Sequence, residues 1–460
     1  VEFESQMSEK QSKLTRRAFL AATTTSAVIA GIPLRVNAAE VVPGKISPNE
    51  KLNIAGIGAG GKGLSDIMGC KRENIIALAD PDWKRAEEAF YRIKEAKQYK
   101  DYREMLEKHP EIDAVTVSTP DHSHAPAAYL AMQLGKHVYC QKPLTHTIAE
   151  SRLLMRTAAE KPNIVTQMGN QGHAGDGVRE LCEIIWSGAI GQVREVHIWT
   201  NRPIWKQGIA APLPEEPVRD TIDWDLWIGP AAMRPFNKGY APFEWRGWWD
   251  FGCGAIGDMA CHIMDPAFWS LKLDQATSFS CEPVEVEGLT DQCAPNASKL
   301  KFEVPARGDL EPVTIYWYDG GKLPERPEGI PADEPLGDDD GKNGSLFIGS
   351  DGIATTGTYG GKTRLLPASR MADFKLPDQT IPRIRMEDPY REWTNAIKEG
   401  TQPGSQFAYA GPLTIMANFG NIALRAGKKV SYDCAAGKTD DPAVDPLLTK
   451  EYRKGWELPV

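Results

Sequence analysis

Residues 52–63, LNIAGIGAGGKG, start as a short apolar strand and break into glycines; a second apolar strand, IIALADPD, follows and reaches Asp80. Strand, glycine turn, helix, strand and acid in that order constrain the fold more than any other feature of the chain. Two overlapping G-x-G-x-x-G readings exist, Gly56-Gly58-Gly61 and Gly58-Gly60-Gly63. The second leaves Leu52 to Ile57 intact as a strand and is preferred. Glycine is needed where the turn is tight and where the backbone approaches a pyrophosphate. A helix starting near Gly61 points its N-terminal amides at that anion. Asp80 stands about 20 residues past the first glycine, where a carboxylate that binds the adenosine ribose belongs. It favours NAD over NADP, because a carboxylate repels a 2′-phosphate; Lys84 and Arg85 soften that preference.

The alternation goes on. WKRAEEAFYRIKEA reads as a helix, IDAVTVSTP as a strand, HAPAAYLAMQLG as a helix, KHVYC as a strand, TIAESRLLMRTAAEK as a helix and NIVTQMG as a strand. This predicts a doubly wound parallel sheet, a Rossmann domain over 51–172. Beyond it, VREVHIWT, SKLKFEVP, PVTIYWY, SLFIGS and IATTGTY read as strands of a large, mostly antiparallel sheet in an α+β domain over 173–460. Residues 319–344, rich in Pro, Gly and Asp, read as a long loop. Helices return in DPYREWTNAIKEG and GPLTIMANFGNIALRAG, and the first, near 387–399, is expected to pack back on the Rossmann domain. With 460 residues, two cores are expected.

The net charge is -9 and there is no long basic run, which argues against nucleic acid as a partner. The first residues differ. KLTRRAFLAATTTSAVIAGIPLRVNAAE has a basic start, an apolar run too short for a membrane span and a small-residue end. Thr15-Arg16-Arg17-Ala18-Phe19-Leu20 resembles a twin-arginine signal. The expectation is a signal over 1–38 cleaved after Ala38, an arm over 39–50, export by the twin-arginine translocase to the periplasm, and no permanent membrane span. As that resemblance implies, the chain crosses already folded. The eight cysteines are scattered, so buried free thiols are expected.

In HVYCQKPLTHT (137–147) an apolar strand runs into a lysine in front of a proline. Proline restricts the residue before it, so Lys142 is held in a defined geometry at a strand's end, where ligands of such sheets bind. In GDMACH, Asp258 and His262 are four apart and share a helix face. A carboxylate beside an imidazole orients it, which suits proton removal from a hydroxyl as hydride leaves its carbon. Asp121, His122 and His124 in DHSHA allow a metal reading, since His-x-His occurs in metal sites, but no further cluster completes a shell, and no metal is expected. Asn170 and His173, in QMGNQGHA, are placed near the domain junction. Seven of 13 tryptophans fall between 199 and 249. Arg202, Trp205, Trp245, Arg246 and Trp249 are candidate carbohydrate contacts, since flat aromatic faces suit sugar rings.

GIGAGGKG, STPDHSHA, QKP and GDMACH together resemble the Gfo/Idh/MocA oxidoreductases, in their exported bacterial branch. The resemblance covers Lys51 to about Gly427. It implies that Lys142 sits beside the nicotinamide and the reacting carbon. Thr119, Pro120 and His124 resemble the family's T-P-x-x-x-H segment beside the cofactor. The family's Glu-Lys-Pro is Gln141-Lys142-Pro143 here. Asp258 and His262 resemble the D-x-x-x-H pair of its sugar dehydrogenases, in which lysine and histidine act on the substrate hydroxyl. The implied function is oxidation of a ring hydroxyl of a sugar or sugar derivative by tightly held NAD. A redox-neutral glycosidase or lyase route, through a transient ketone, is the alternative, and a non-catalytic NAD- and sugar-binding protein is a second. A homodimer or homotetramer through the C-terminal sheet is expected.

Overall fold

Strands buried on both faces read as unbroken apolar runs, and the first half of the chain is built from them. The structure, a computed structural model, describes residues 50–460. The expected export leader and all of the expected arm before residue 50 lie outside the described residues. The first domain runs β1 (Asn53–Ile57), α1 (Lys62–Gly69), β2 (Asn74–Ala79), α2 (Trp83–Arg92), β3 (Lys97–Tyr99), α3 (Tyr102–Lys108), β4 (Ala114–Val117), α4 (His124–Gln133), β5 (His137–Cys140), α5 (Ile148–Glu160) and β6 (Thr166–Met168). All strand pairs are parallel, in the order β3-β2-β1-β4-β5-β6. The direction of winding reverses between β1 and β4, so a crevice opens at their C-terminal ends.

Sterics explain the glycines of the first turn. Gly58 has φ 81°, the left-handed region. A Cβ on Gly63 would lie 2.0 Å from the Gly58 carbonyl oxygen, so α1 packs on the turn only without one. A Cβ on Gly60 would meet the Arg85 carbonyl oxygen at 2.6 Å.

The second half continues with α6 (Asp176–Trp186), β7 (Val193–Trp199), α7 (Trp224–Ile228), α8 (Gly254–Ile263), α9 (Asp265–Ser270), β8 (Ser278–Glu287), β9 (Ala297–Val304), β10 (Val313–Tyr318), β11 (Gly344–Gly349), β12 (Ile353–Thr356), β13 (Arg364–Leu366), α10 (Ala368–Ala372), α11 (Pro389–Glu399), α12 (Phe407–Ala426), β14 (Val430–Asp433) and β15 (Lys438–Thr439). Its nine strands form one sheet, β13-β12-β11-β7-β10-β9-β8-β14-β15, antiparallel except where β10 meets β7. Along β9 buried and half-buried residues alternate, as on a sheet with one covered face. The cover is α12, with Phe407, Leu413 and Phe419 fully buried. Residues 319–343 carry neither helix nor strand.

Helix α11 returns to the first domain. Trp393 is fully buried among Leu52, Ile54 and Tyr139, a burial worth about 1.5–3 kcal/mol for a large apolar side chain. Lys398 Nζ pairs with Glu73 Oε1 (2.6 Å), whose other oxygen accepts the Leu52 N–H (2.8 Å). All eight cysteines are unpaired and seven are buried. No helix among the described residues is long and apolar enough to cross a membrane.

Candidate active site

The crevice at the switch point widens into a cavity of about 390 Å³. Gly58, Gly60 and Asp80 line one part of it; Lys142, Asp258 and His262 line another. Asp80 follows β2 and Lys142 follows β5, three strand spacings apart, or about 14 Å.

Asp80 has two tasks. Its Oδ2 accepts the N–H groups of Ala59 (2.9 Å) and Gly60 (3.1 Å), and its Oδ1 accepts that of Asp82 (2.9 Å). It therefore pins the glycine turn as well as facing the cavity. A carboxylate offers about four lone-pair positions, so one is left for a ribose hydroxyl. Burial pushes its pKa up to about 6 against the pull of those amides. Acidifying through about 6 protonates Asp80 and removes the charge assistance from that bond. NADH affinity, followed by fluorescence titration, is expected to fall between pH 8 and pH 5.5, by about tenfold or less. Asp80→Asn should abolish that pH dependence.

At the other part, Lys142 Nζ donates to the Asp258 carbonyl oxygen (2.9 Å) and to its Oδ1 (2.8 Å), across a cis Lys142–Pro143 peptide. Arg246 Nε lies 3.6 Å from Oδ1 and Arg202 Nε 4.0 Å from Oδ2. Burial alone would raise the Asp258 pKa, but Lys142 and Arg246 overcome it and hold the group at about 2. This corrects the expected pairing of Asp258 with His262. The two share a face of α8, yet the carboxylate is drawn to three cations, and no hydrogen bond joins it to the imidazole. His262 Nδ1 is buried without a partner, and the Tyr359 ring stands edge-on to the imidazole at 4.8 Å. Burial and then Lys142 hold the His262 pKa well below the ordinary histidine range. The ring is therefore held neutral.

Gln141 has a local explanation. Its Nε2 donates to Asp66 Oδ2 (2.9 Å), which also accepts Ser118 Oγ–H (2.6 Å). Tyr390 OH donates to Asp66 Oδ1 (2.8 Å), and Lys62 pairs with the same oxygen. A glutamate at 141 would set a second carboxylate against fully buried Asp66. His124 is a strut. Its Nδ1 faces the Pro143 carbonyl oxygen (2.7 Å) and its Nε2 that of Thr119 (2.9 Å), tying the ends of β4 and β5 together. Thr119, Pro120, His124 and Gln141 all line the cavity.

Arg202, Trp205, Trp245 and Arg246 also line it. The Arg246 guanidinium lies over the rings of Trp245 (4.2 Å) and Phe243 (4.5 Å). Three expected substrate contacts do not reach the cavity. Asn170 Nδ2 donates to Asp265 Oδ2 (3.2 Å), His173 Nδ1 meets the same carboxylate (3.0 Å), and the imidazole stacks on Trp269. Both are buried structural groups. Trp249 donates from Nε1 to the Thr290 carbonyl oxygen (3.0 Å) and faces Arg425. Trp224, Trp227, Trp245 and Trp248 belong to a separate small core with Tyr240 and Phe251, so the tryptophan cluster is mainly a structural unit that offers a few rings to the cavity.

Tyr359 and Asp121 also line the cavity, and neither was expected as a substrate or cofactor contact. Tyr359 lies in a strand-to-loop stretch without a motif. Asp121 is buried, accepts the Cys253 N–H (3.1 Å), and is pushed by burial up to about 7 against Lys142 and Arg246. In DHSHA it is weighed only together with the histidines, as a metal candidate. Among the described residues no group of three or more His, Cys, Asp or Glu side chains is placed to hold a metal.

The glycine turn without Cβ atoms and the carboxylate at the end of β2 fit a dinucleotide, and fold and cleft define an NAD-binding Rossmann protein with an added α/β domain. Residues 52–168 match the model described as an oxidoreductase family, NAD-binding Rossmann fold, and 175–304 match that family's C-terminal α/β domain. The chain belongs to the Gfo/Idh/MocA family. It is 30% identical over 193 residues to levoglucosan dehydrogenase of Pseudarthrobacter phenanthrenivorans, covering 42% of this chain and 41% of that protein. It is 30% identical over 203 residues to an alpha-N-acetylgalactosaminidase of Shewanella oneidensis, covering 39% and 44%. The chain thus spans about two fifths of the length of the curated relatives it matches. A solved levoglucosan dehydrogenase in complex with NADH and levoglucosan shares the fold, with TM-score 0.54, 17% identity, and coverage of 83% of this chain and 99% of that one.

Proposed function

We propose that the protein is an NAD-dependent carbohydrate oxidoreductase that takes hydride from the carbon of a ring hydroxyl. One observation carries the reading: the charged amine of Lys142 and the neutral imidazole of His262 line the same cavity as the glycine turn and Asp80. Bound NAD supplies the hydride acceptor. The chain supplies the rest. Lys142 Nζ polarises the substrate oxygen and steadies the developing alkoxide. His262 takes the hydroxyl proton on its imidazole. The carbon loses hydride, the oxygen loses a proton, and a ketone remains. Trp205, Trp245, Arg202 and Arg246 hold the ring, and Asp258 anchors the three cations around it. The levoglucosan dehydrogenase likeness supports a sugar or anhydrosugar as the substrate class. The chain is proposed to work in the periplasm, on the strength of its leader, with NAD carried along rather than drawn from free supply.

A second reading is redox-neutral: the ketone acidifies the neighbouring C–H, a substituent is eliminated, and hydride returns. The likeness to an alpha-N-acetylgalactosaminidase favours keeping it. Stoichiometric NADH formation with a free sugar, in a single turnover with NAD-loaded protein, is expected for the oxidoreductase. Release of an aglycone from an aryl glycoside without net NADH would establish the second reading. Neither signal with a panel of sugars and glycosides would overturn both.

A further inference from the structure

The substrate side of the cavity carries more positive charge than it balances. Arg202, which follows β7, and Arg246, in the short helical turn Glu244–Gly247 ahead of α8, line it together with Lys142. All three lie within 4.0 Å of one carboxylate, that of Asp258. Of the other acids that line the cavity, Asp80 and Asp82 stand after β2 and Asp101 after β3, on the far side of the crevice. That leaves Asp121, which burial pushes up to about 7, so near neutrality it supplies only part of a charge. His262 is held neutral, and Lys62 is paired with Asp66. Three cations therefore face one full negative charge and a fraction of another. The oxidised cofactor that hydride transfer requires adds a further positive charge.

Asp258 does not use up the two guanidinium groups. Lys142 hydrogen-bonds to its Oδ1, but Arg246 Nε at 3.6 Å and Arg202 Nε at 4.0 Å are ion pairs beyond hydrogen-bond length. Each guanidinium has five N–H donors. Arg202 gives one to Asn201 Oδ1 (2.5 Å), and Arg246 gives one to the Phe243 carbonyl oxygen (3.2 Å). The remaining donors of both meet no hydrogen-bond acceptor among the described residues. The two side chains are 27% and 23% exposed and line the cavity, so the spare donors are open to a ligand. Stacking on Trp245 and Phe243 fixes the plane of Arg246 in advance.

We infer that the sugar this cavity takes carries an oxyanion, a carboxylate or an anionic ester, which Arg202 and Arg246 bind through their unused N–H donors. The inference rests on the oxidoreductase reading above and names its substrate class. Planar guanidinium forks match the paired oxygens of such groups. A cleft lined by one sign of charge also concentrates ions of the other sign. A neutral sugar would leave the excess uncompensated. The carbon that loses hydride stays beside Lys142 and His262, so the oxyanion is a substituent of the ring away from the reacting hydroxyl.

The test is binding, read by quenching of intrinsic tryptophan fluorescence, since Trp205 and Trp245 line the cavity. D-Glucuronate and D-galacturonate are titrated beside D-glucose and D-galactose, with the 6-sulfate and 6-phosphate of glucose as the ester arms. A charge-assisted hydrogen bond is worth about 10- to 100-fold in affinity. At least one anionic sugar is therefore expected to bind about 100-fold tighter than its neutral parent, and the arm that does so identifies the oxyanion. Its advantage should shrink as salt is added. Arg202→Met and Arg246→Met should each cut that advantage by about tenfold or more. Each leaves Asp258 two cations; if Arg246→Met does not fold for want of its stacking, Arg202→Met decides. Equal affinity for anionic and neutral sugars, or an advantage that both variants keep, would overturn the inference. Tight binding of an anionic sugar without NADH formation in NAD-loaded protein would uphold the anion subsite and overturn the oxidoreductase reading. NADH formed from neutral sugars, with no preference for the anionic ones, would do the reverse.

Discussion

Replacing Lys142 by Met, or His262 by Ala, is expected to slow NADH formation in a single turnover by about 10²–10⁴-fold, the usual loss when a general acid–base group goes. Dinucleotide should still bind, because the glycine turn and Asp80, which would hold its other end, are untouched. Lys142→Met leaves Asp258 two cations, Arg246 and Arg202, so the fold is retained. The pH profile separates catalysis from mere packing. His262 is held neutral, with its pKa well below the histidine range, so the base stays deprotonated as pH falls through 6.5. The acid limb of kcat/KM should lie below that value. An acid limb at the ordinary histidine position, or a His262→Ala variant with parental turnover, would remove His262 from the mechanism and leave proton removal to another group.

Asp258→Asn should be the most damaging single change to stability. It leaves Lys142, Arg246 and Arg202 facing one another without a counter-ion, and breaking a buried pair on one side costs about 3–5 kcal/mol. Urea unfolding at pH 7 measures it. The sign with pH follows from the depressed pKa. The stabilisation from an ionised Asp258 is present above 3.8 and is lost as pH falls through about 2. The deficit of the variant should therefore shrink toward pH 2. Lys142→Met combined with Asp258→Asn should recover part of the loss, since the two residues share one interaction. An Asp258→Asn protein as stable as its parent would mean that water screens the three cations from one another.

The first domain was legible because parallel strands and glycine turns have few alternatives in sequence. β1, β4, β5 and β6 each fall inside a stretch read as a strand, β2 starts one residue before its stretch, and Gly58, Gly60 and Gly63 each stand where a Cβ has no room. β3 escaped because three residues of an edge strand, Lys97, Gln98 and Tyr99, hold no apolar run. In the second sheet β8, β13, β14 and β15 were missed. β8 contains Pro283 and turns charged toward its end, and the other three are four residues long or shorter. The site was legible where one residue's position decides its role, as for Lys142 at the end of β5. It was not legible where a role depends on a partner distant in the chain. Helical spacing joined Asp258 to His262, but Lys142, 116 positions away, takes the carboxylate. Asn170 and His173 are claimed by Asp265, and Trp456 reaches the cavity only because the chain doubles back across the first domain.

The return of α11 to the first domain bears on how the protein is made. Leu52, Ile54 and Tyr139 lie in or beside strands complete by residue 140, but Trp393, which covers them, is some 250 positions later. At synthesis rates of about 5–20 residues per second, that apolar surface stays bare for on the order of ten to fifty seconds. A nascent chain in that interval presents a sticky sheet face, the kind of surface that chaperones bind and that drives aggregation. The fragment 51–172 made alone keeps that face bare permanently, and adding 387–399 as a separate peptide offers a route to cover it.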